Sequence, residues 1–425
     1  METTNHLSGF TQNRVISGSS DPVPLGIYAK SITPPPPAAA KPAVLAAVRA
    51  VRAERYALLS SARKLISAAG RASGLKYGHD LHKTAKCRYI RHGGTSVEVH
   101  KSREHGKAFY CNLITCGSVW SCPVCAAKIQ ERRREEIAAA INWAYDEGLQ
   151  PVMVTLTFPH RAWHKLRDLL DQQAMALQRL RAGQPWEKFK KSVDFRGLIR
   201  SLELTHGDNG WHPHTHELWF VRSTADASLM LPEILKRWES ACIRAGLLDE
   251  DDAAQLAAFR VHAVDVKGWC SESDYLAKQD DSRHWGADRE IAKGSTKAGR
   301  AKGRHAFGLL ADASGKGSAA RRAGRLYLVY IAAMRGKRQI VWSKGLKALV
   351  KVDDLDDETL AVESRDEADL LGYITDDDWH TVRTVGAFAA VLDAAEVGGW
   401  PAVQSLIDRL TLDEIARMEA LLSTA

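Results

Sequence analysis

Residues 197–221 read GLIRSLELTHGDNGWHPHTHELWFV. Two stretches of alternating apolar and polar residues flank a turn at Asp208–Gly210, and an Asn-Gly pair between such stretches is the strongest short-range signal for a β-hairpin. The stretch therefore predicts two paired antiparallel strands. Alternate side chains of a strand point to the same face of a sheet, so His214 and His216 are expected to share one face.

Strand pairing also predicts a partner for the two histidines. If Asn209 and Gly210 form a two-residue loop, antiparallel symmetry places Glu203 opposite His216, and directly opposed side chains lie on the same face. Two imidazoles and a carboxylate would then converge. Such a set suits a divalent ion, in particular Mg²⁺ or Mn²⁺ when a phosphate oxygen completes the shell. The alternative is that the histidines are ordinary surface or core residues.

The segments around the hairpin indicate a mixed fold. PVMVTLTF (151–158) is a β-branched run typical of a central strand, and 161–181 has the apolar spacing of a helix that packs on it. Helices are also predicted near 228–245 and 325–336, and an extended segment is predicted at 339–346. This order of elements predicts an α+β domain in which helices flank an antiparallel β-sheet.

Charge divides the chain into a basic body and an acidic end. The 425 residues hold 59 Lys and Arg and 51 Asp and Glu. Residues 351–425 contain 18 acidic and 5 basic side chains, so residues 1–350 keep 54 basic and 33 acidic ones, a local net charge of +21. A basic body is typical of proteins that bind nucleic acid, although a solvated basic surface without a function is the alternative.

The composition argues against a membrane or secreted protein. No apolar run approaches the ~18 residues that a membrane-spanning helix needs. The first residues, METTNHLSGFTQN, lack the charged start and apolar block of a secretory signal. We therefore expect a cytoplasmic protein with no membrane partner.

Five of the seven cysteines fall within 39 positions, and in a reducing cytoplasm such a group is expected to bind metal rather than form disulfides. Cys122 and Cys125 form a CxxC pair that Cys116 precedes, and a tetrahedral structural Zn²⁺ needs one more ligand. We expect Cys87 to supply it, because a distant ligand closes the site across a separate segment, with Cys111 as the substitute. Cysteines buried without a metal and a redox-active CxxC are the alternatives.

The segment SESDYLAKQ (271–279) is predicted to form a short helix. Glu272, Tyr275 and Lys278 are spaced three apart, so they lie near one face of that helix. A tyrosine phenol attacks poorly unless a cation stabilises its oxyanion, and a lysine one turn away would contribute to that stabilisation. This spacing is common by chance, so it supports a catalytic role only in combination with the strand that carries His214 and His216.

The motifs TLTF, HPHTH and YLAK, in this order, resemble those of the HUH endonucleases. More narrowly, the chain is similar to the single-tyrosine initiators of rolling-circle plasmid replication, the Rep proteins. The run CGSVWSCPVCAAKIQERRREEI and the later WSKGL also resemble that family, so the resemblance covers about residues 87–350.

The resemblance implies a role for each matching position. It makes His214 and His216 the paired metal ligands and Glu203 the third. It makes Tyr275 the nucleophile and Lys278 the motif partner of that tyrosine.

Two positions depart from the family's pattern. The residue between the histidines is usually hydrophobic, and here it is Thr215. A glutamate that activates water for the terminating cleavage usually stands four positions before the tyrosine, where this chain has Ser271. Glu272 and Asp274 are the nearby substitutes.

The activity implied by the resemblance is that of a metal-dependent, site-specific DNA endonuclease and strand transferase. Such a protein nicks single-stranded DNA at a plasmid origin through a 5′-phosphotyrosine intermediate and leaves a 3′-OH primer. The implied partners are single- and double-stranded origin DNA and the host helicase and polymerase. The alternatives are an HUH transposase or relaxase, many of which use two tyrosines, and a non-catalytic zinc-containing DNA-binding protein.

Four regions are expected along the chain. They are a flexible leader with a basic helix (1–80), a zinc-binding lobe with the helix that follows it (81–145), an HUH nuclease domain (146–350) and an acidic helical tail (351–425).

Overall fold

The computed structural model of the protein describes residues 42–74, 82–270, 303–362 and 364–423. The chain divides into two compact units, Met1–Leu45 and Ala46–Ala425, and the contacts given below lie within the second. The predicted region boundaries after positions 80, 145 and 350 stay predictions. Among the described helices, none combines the length and the apolar composition that crossing a membrane requires.

Strands and helices are numbered here in chain order over the described residues. The strands are β1 (Val97–Ser102), β2 (Ala108–Cys111), β3 (Leu149–Leu156), β4 (Gly197–Gly207), β5 (Gly210–Arg222), β6 (Val264–Lys267), β7 (Arg304–His305), β8 (Ile340–Trp342) and β9 (Ala368–Ile374). The helices are α1 (Pro42–Ala72), α2 (Lys83–Lys86), α3 (Pro123–Asp146), α4 (Leu166–Leu180), α5 (Gly183–Val193), α6 (Ala227–Ala245), α7 (Ala253–His262), α8 (Ala306–Ala313), α9 (Gly317–Ala333), α10 (Leu346–Val350), α11 (Asp357–Leu360), α12 (Asp376–Val385) and α13 (Phe388–Ser423, interrupted at Gly399).

The larger sheet has the strand order β6-β3-β5-β4-β7, and β8 also pairs with β4. All of its pairings are antiparallel. The predicted α+β class with an antiparallel sheet is therefore confirmed, and β4 and β5 form the hairpin that the alternation predicted. The strand expected at 151–158 is β3, and the helices expected near 161–181 and 228–245 are α4 and α6.

Helices cover the two faces of this sheet unequally. On one face, Trp219 and Val221 of β5 belong to the main hydrophobic core, together with Leu177 of α4. On the other face, Leu218 of β5 is buried with Ile137 of α3 in a second core. The histidines of β5 alternate with the residues of the first core, so they share the face on which α3 packs against Leu218. The polar end of that face carries the candidate site.

The hairpin register differs from the expected one by two positions. The loop is Asp208–Asn209, and the left-handed residue that closes the turn is Gly210, with a φ of 83°. Glu203 consequently lies opposite His214, not opposite His216 as the loop at Asn209–Gly210 predicted. A shift of two keeps every side chain on its face, because the side-chain period of a strand is two. The three side chains therefore converge as predicted, although the predicted register was wrong.

A smaller sheet joins the cysteine region to the acidic end of the chain. Its order is β2-β1-β9, and β9 comes from the segment expected to be helical. That expectation is corrected, because the acidic end contains helices and one strand. The buried guanidinium of Arg88 donates to the carbonyl oxygens of Tyr110 and Ala361, each at 3.1 Å. It thereby also connects the cysteine region to the acidic end.

Candidate metal centres on the sheet and in the cysteine region

Three side chains of the β4–β5 hairpin meet on the polar end of the sheet. Glu203 Oε2 lies 3.2 Å from His214 Nε2 and 3.4 Å from His216 Nε2. The three side chains keep between 9% and 15% of their surface exposed. We call Glu203, His214 and His216 the histidine cluster. It is the set of residues in which the sequence predicted a metal site.

The spacing within the histidine cluster fits a small divalent ion. Donors about 2.1 Å from a common ion, at angles between 90° and 110°, lie about 3.0–3.4 Å from one another. The second carboxylate oxygen, Glu203 Oε1, is buried and has no hydrogen-bond partner among the described residues. A buried, unpaired carboxylate oxygen is costly, and a cation beside it would remove that cost.

Neighbouring groups hold each imidazole by its other nitrogen. Thr155 Oγ1 on β3 lies 3.0 Å from His216 Nδ1, and the backbone oxygen of His212 lies 3.4 Å from His214 Nδ1. Contacts of this kind fix the orientation of a metal-binding imidazole, because the ring cannot turn without losing them. Both Nε2 atoms consequently face Glu203.

A stack of imidazole rings extends from the histidine cluster. The ring centroids of His214 and His212 are 4.8 Å apart, and those of His212 and His160 are 4.6 Å apart with an interplanar angle of 9°. Thr157 Oγ1 lies 2.7 Å from His212 Nε2. The stack thus connects the cluster to the loop that follows β3.

Burial shifts the pKa of three groups in this region, and at Glu203 the neighbouring imidazoles act against it. Burial raises the pKa of Glu203, but the hydrogen bonds from His214 and His216 outweigh it and bring the pKa to about 2. Burial lowers the pKa of His212 to about 3 and that of His305 to about 4. At neutral pH the carboxylate is therefore ionised, and these two outer imidazoles are uncharged.

Three further residues, which no sequence motif marks as site residues, belong to this region. Thr155 holds His216, and Asp265 of β6 is paired with Thr155 in the sheet, so its side chain shares the face of the histidine cluster. His305 of β7 is paired with Thr205 at the other side. Threonine is β-branched, so Thr155 within TLTF looks like an ordinary strand residue in the sequence. The strands β6 and β7 are too short to show the alternation that would mark Asp265 and His305.

The predicted catalytic residues Glu272, Tyr275 and Lys278 lie outside the described residues, as does the whole predicted helix 271–279. The roles given to these residues stay predictions.

Four buried thiols meet where α3 begins. We call Cys87, Cys116, Cys122 and Cys125 the cysteine cluster, and their sulfur atoms all lie within 4.8 Å of one another. Three of the Sγ–Sγ distances are 3.5, 3.6 and 3.7 Å. Four thiolates around one Zn²⁺, each at ~2.3 Å, would be about 3.8 Å apart, so the thiols fit a tetrahedral zinc site.

The local structure explains the approach of these cysteines. Cys122 is the N-cap of α3, and its sulfur accepts a hydrogen bond from the backbone N–H of Cys125 at 3.4 Å. Cys87 directly follows the short helix α2. Hydrogen bonds from the three other thiols hold the pKa of Cys125 well below its usual value. Cys111, the substitute ligand, lies in a different group with Glu98 and His100.

Comparisons with known proteins point to DNA replication. Residues 109–226 match the family model described as "Replication protein". The chain is 28% identical over 343 residues to "Protein rep" of Streptomyces lividans, a match that covers 65% of this chain and 74% of that protein. No solved structure matches the chain.

A second relative matches a shorter part of the chain. It is the "Neomycin resistance protein" of Streptomyces cyanogenus, 33% identical over 141 residues, which cover 27% of this chain and 32% of that protein.

The family match spans β4, β5 and three of the four cysteines of the cysteine cluster, and it ends before position 271. The resemblance to plasmid replication initiators that the sequence motifs indicated is therefore confirmed, and residues 109–226 carry the sequence pattern of the replication protein family.

Proposed function

We propose that this protein initiates rolling-circle replication of a plasmid in the bacterial cytoplasm by nicking one DNA strand at the origin. The replication protein match supports the biological process. The observation that carries the chemistry is the histidine cluster, in which one carboxylate oxygen approaches two imidazole nitrogens at 3.2 and 3.4 Å.

The histidine cluster would hold Mg²⁺ or Mn²⁺ through His214, His216 and Glu203. A bound divalent ion supplies Lewis-acid polarisation of a phosphodiester oxygen and stabilises the charge that develops there. Thr155 keeps the ring of His216 in the binding orientation. The three side chains keep 9% to 15% of their surface exposed, and the proposal requires a phosphodiester to reach the ion through this opening.

Tyr275 is the proposed nucleophile. Its phenol loses a proton, its oxygen forms a bond to phosphorus, and the bond from phosphorus to the 3′ oxygen breaks. The products are a 5′-phosphotyrosine and a free 3′-OH, from which a host polymerase extends the strand. Lys278 would stabilise the phenolate, and Glu272 is the candidate for the later step that releases the protein.

The chain on both sides of the segment 271–302 supports this assignment. The backbone N–H of Cys270 donates to the carbonyl oxygen of Pro151 on β3 at 2.9 Å. At the other end, His305 pairs with Thr205 on β4, two residues from Glu203. The described residues on either side of positions 271–302 therefore lie beside the sheet that carries the histidine cluster.

The cysteine cluster has a structural role in this proposal. Bound Zn²⁺ would tie the start of α3 to Cys87 and Cys116 and contribute folding energy to the region. The thiols are fully buried or nearly so, and the innermost three are 0% exposed. Such a site leaves no side open to a substrate.

The test is covalent capture of DNA. Incubation of the protein with a single-stranded origin fragment and Mn²⁺ should give a protein–DNA adduct that survives a denaturing gel. Tyr275→Phe should abolish the adduct and leave DNA binding intact, since it removes only the hydroxyl. Tyr373→Phe, an exposed tyrosine of β9, is the matched control and should form the adduct normally. An adduct of undiminished yield with Tyr275→Phe would exclude this tyrosine as the nucleophile.

A further inference from the structure

The loop that follows β3 lines a cavity, and its lining includes Pro159, the residue before His160 of the histidine stack. The cavity has a volume of about 250 Å³. Pro159, Leu169 and Leu247 form apolar parts of its lining, and Trp163 and Lys165 belong to its wall. A volume below the ~300 Å³ of ordinary small-molecule sites suits one flat ring better than a larger ligand.

Trp163 is exposed to an unusual degree for its type. Its relative exposure of 77% is the highest among the large apolar side chains of the described residues. Tryptophan normally buries most of its ring, because removing its large apolar surface from water is favourable. An exposed indole beside a cavity therefore indicates a surface that is covered when a ligand binds.

The charge around Trp163 favours an anionic ligand. Arg161, Lys165 and Arg167 are all exposed within four positions of the indole, against the single carboxylate of Asp168 in the same stretch. Basic side chains interleaved with an aromatic ring are the arrangement with which proteins bind single-stranded nucleic acid, since the cations contact phosphates while a base stacks on the ring.

The same loop is held against the histidine cluster. His160 stacks on His212, which stacks on His214. A Cβ atom placed on Gly210 would lie only 2.9 Å from Cα of Ala162, so the tip of the β4–β5 hairpin packs directly on the loop. A DNA strand with one phosphate at the cluster would therefore pass along this loop.

We propose that Trp163 and the cavity beside it form a binding site for one nucleobase of single-stranded DNA. The site rests on the proposed function, because the strand it binds is the one whose phosphodiester lies at the histidine cluster. The base must be unpaired, since a base inside a duplex has both faces covered by its neighbours. The site would place the strand and make no contact with the reacting phosphorus.

The experiment measures binding without cleavage. Fluorescence anisotropy with a labelled oligothymidine, in the absence of divalent metal, compares the full-length protein with Trp163→Ala and Trp163→Phe. Loss of one stacked base should weaken binding between about 5- and 150-fold for Trp163→Ala. Trp163→Phe, which keeps an aromatic face, should lose much less. Tyr373→Ala removes an exposed ring from β9 and should bind like the wild type.

A cross-linking arm locates the contact. Oligothymidine with one 5-iodouracil should cross-link to Trp163 on irradiation, and the same sequence in a duplex should not. Unchanged affinity of Trp163→Ala, or cross-links only to other segments, would overturn the nucleobase site.

The two proposals fail in different ways. Covalent capture by Tyr275 together with wild-type binding by Trp163→Ala removes the nucleobase site and leaves the nicking activity. A large effect of Trp163→Ala on binding without any covalent capture leaves the nucleobase site and removes the nicking activity.

Discussion

The histidine cluster and the cysteine cluster are both sets of metal-type ligands, but the chain builds them in opposite ways. The histidine cluster comes from one hairpin, and strand register brings its three residues together within 14 positions of the sequence. The cysteine cluster collects ligands from separate segments over 39 positions, and all of its members are buried.

The difference between the two clusters is the one expected between a catalytic and a structural metal site. A metal site that acts on a substrate must keep one position open, whereas a structural site fills its coordination with protein ligands. The histidine cluster offers three potential ligands and is partly exposed, whereas the cysteine cluster offers four potential ligands and is buried. Loss of a ligand should therefore affect activity in the first case and stability in the second.

The largest expected effect follows from Cys125→Ser. Removal of one thiolate should release the zinc and lower the unfolding free energy by several kcal/mol, since metal binding supplies folding energy to such regions. The measurements are zinc content and thermal unfolding, and the midpoint should fall by several degrees, at about 1 °C for each kcal/mol lost in a chain of this length.

Cys111→Ser is the matched control for that prediction, because Cys111 is a buried cysteine of the same region outside the cysteine cluster. It should retain zinc. Retention of zinc by Cys87→Ser together with its loss from Cys111→Ser would assign the fourth ligand to Cys111 and contradict the arrangement described here.

The next largest effect should come from His216→Ala. It removes a ligand of the histidine cluster, so metal-dependent nicking should fall by at least about 100-fold, beyond the ~10–100-fold typical of groups that only orient ligands. The unfolding free energy should change by about 1 kcal/mol or less, which denaturant titration measures. His206→Ala, on the same hairpin but outside the cluster, should nick normally. Equal loss of nicking in both variants would show that the effect is not specific to the cluster.

A smaller effect is expected from Thr155→Val. Valine keeps the shape of the side chain but removes the hydroxyl that lies 3.0 Å from His216 Nδ1. Mn²⁺ affinity, measured by calorimetry, should fall by about 10-fold, because the imidazole is no longer held in its binding orientation. Thr155→Ser retains the hydroxyl and should bind nearly as the wild type does. An unchanged affinity in Thr155→Val would remove Thr155 from the support of the cluster.

The sequence was sufficient for the local part of the site. Alternation fixed which residues of the hairpin share a face, so the convergence of Glu203 with His214 and His216 was predictable. The exact pairing was not, because Asn209–Gly210 suggests a two-residue loop while the chain turns at Asp208–Asn209 and closes on Gly210. The turn, which places Gly210 in the left-handed region and pairs it with Gly207, decided the register.

Features that depend on distant contacts could not be predicted. β9 pairs with β1 about 270 positions away, and its sequence ADLLGYI does not alternate clearly. The choice between Cys87 and Cys111 is likewise a matter of tertiary packing, which spacing does not encode. The stack of His160 on His212 joins a loop to a strand, so neither segment shows it alone.

The most direct test of the central claim is to locate a metal at the histidine cluster. Crystals of the protein soaked in Mn²⁺ should show an anomalous difference peak about 2.2 Å from Nε2 of His214, Nε2 of His216 and a carboxylate oxygen of Glu203. An occupied manganese site elsewhere in the molecule, with no peak between these three side chains, would contradict the account.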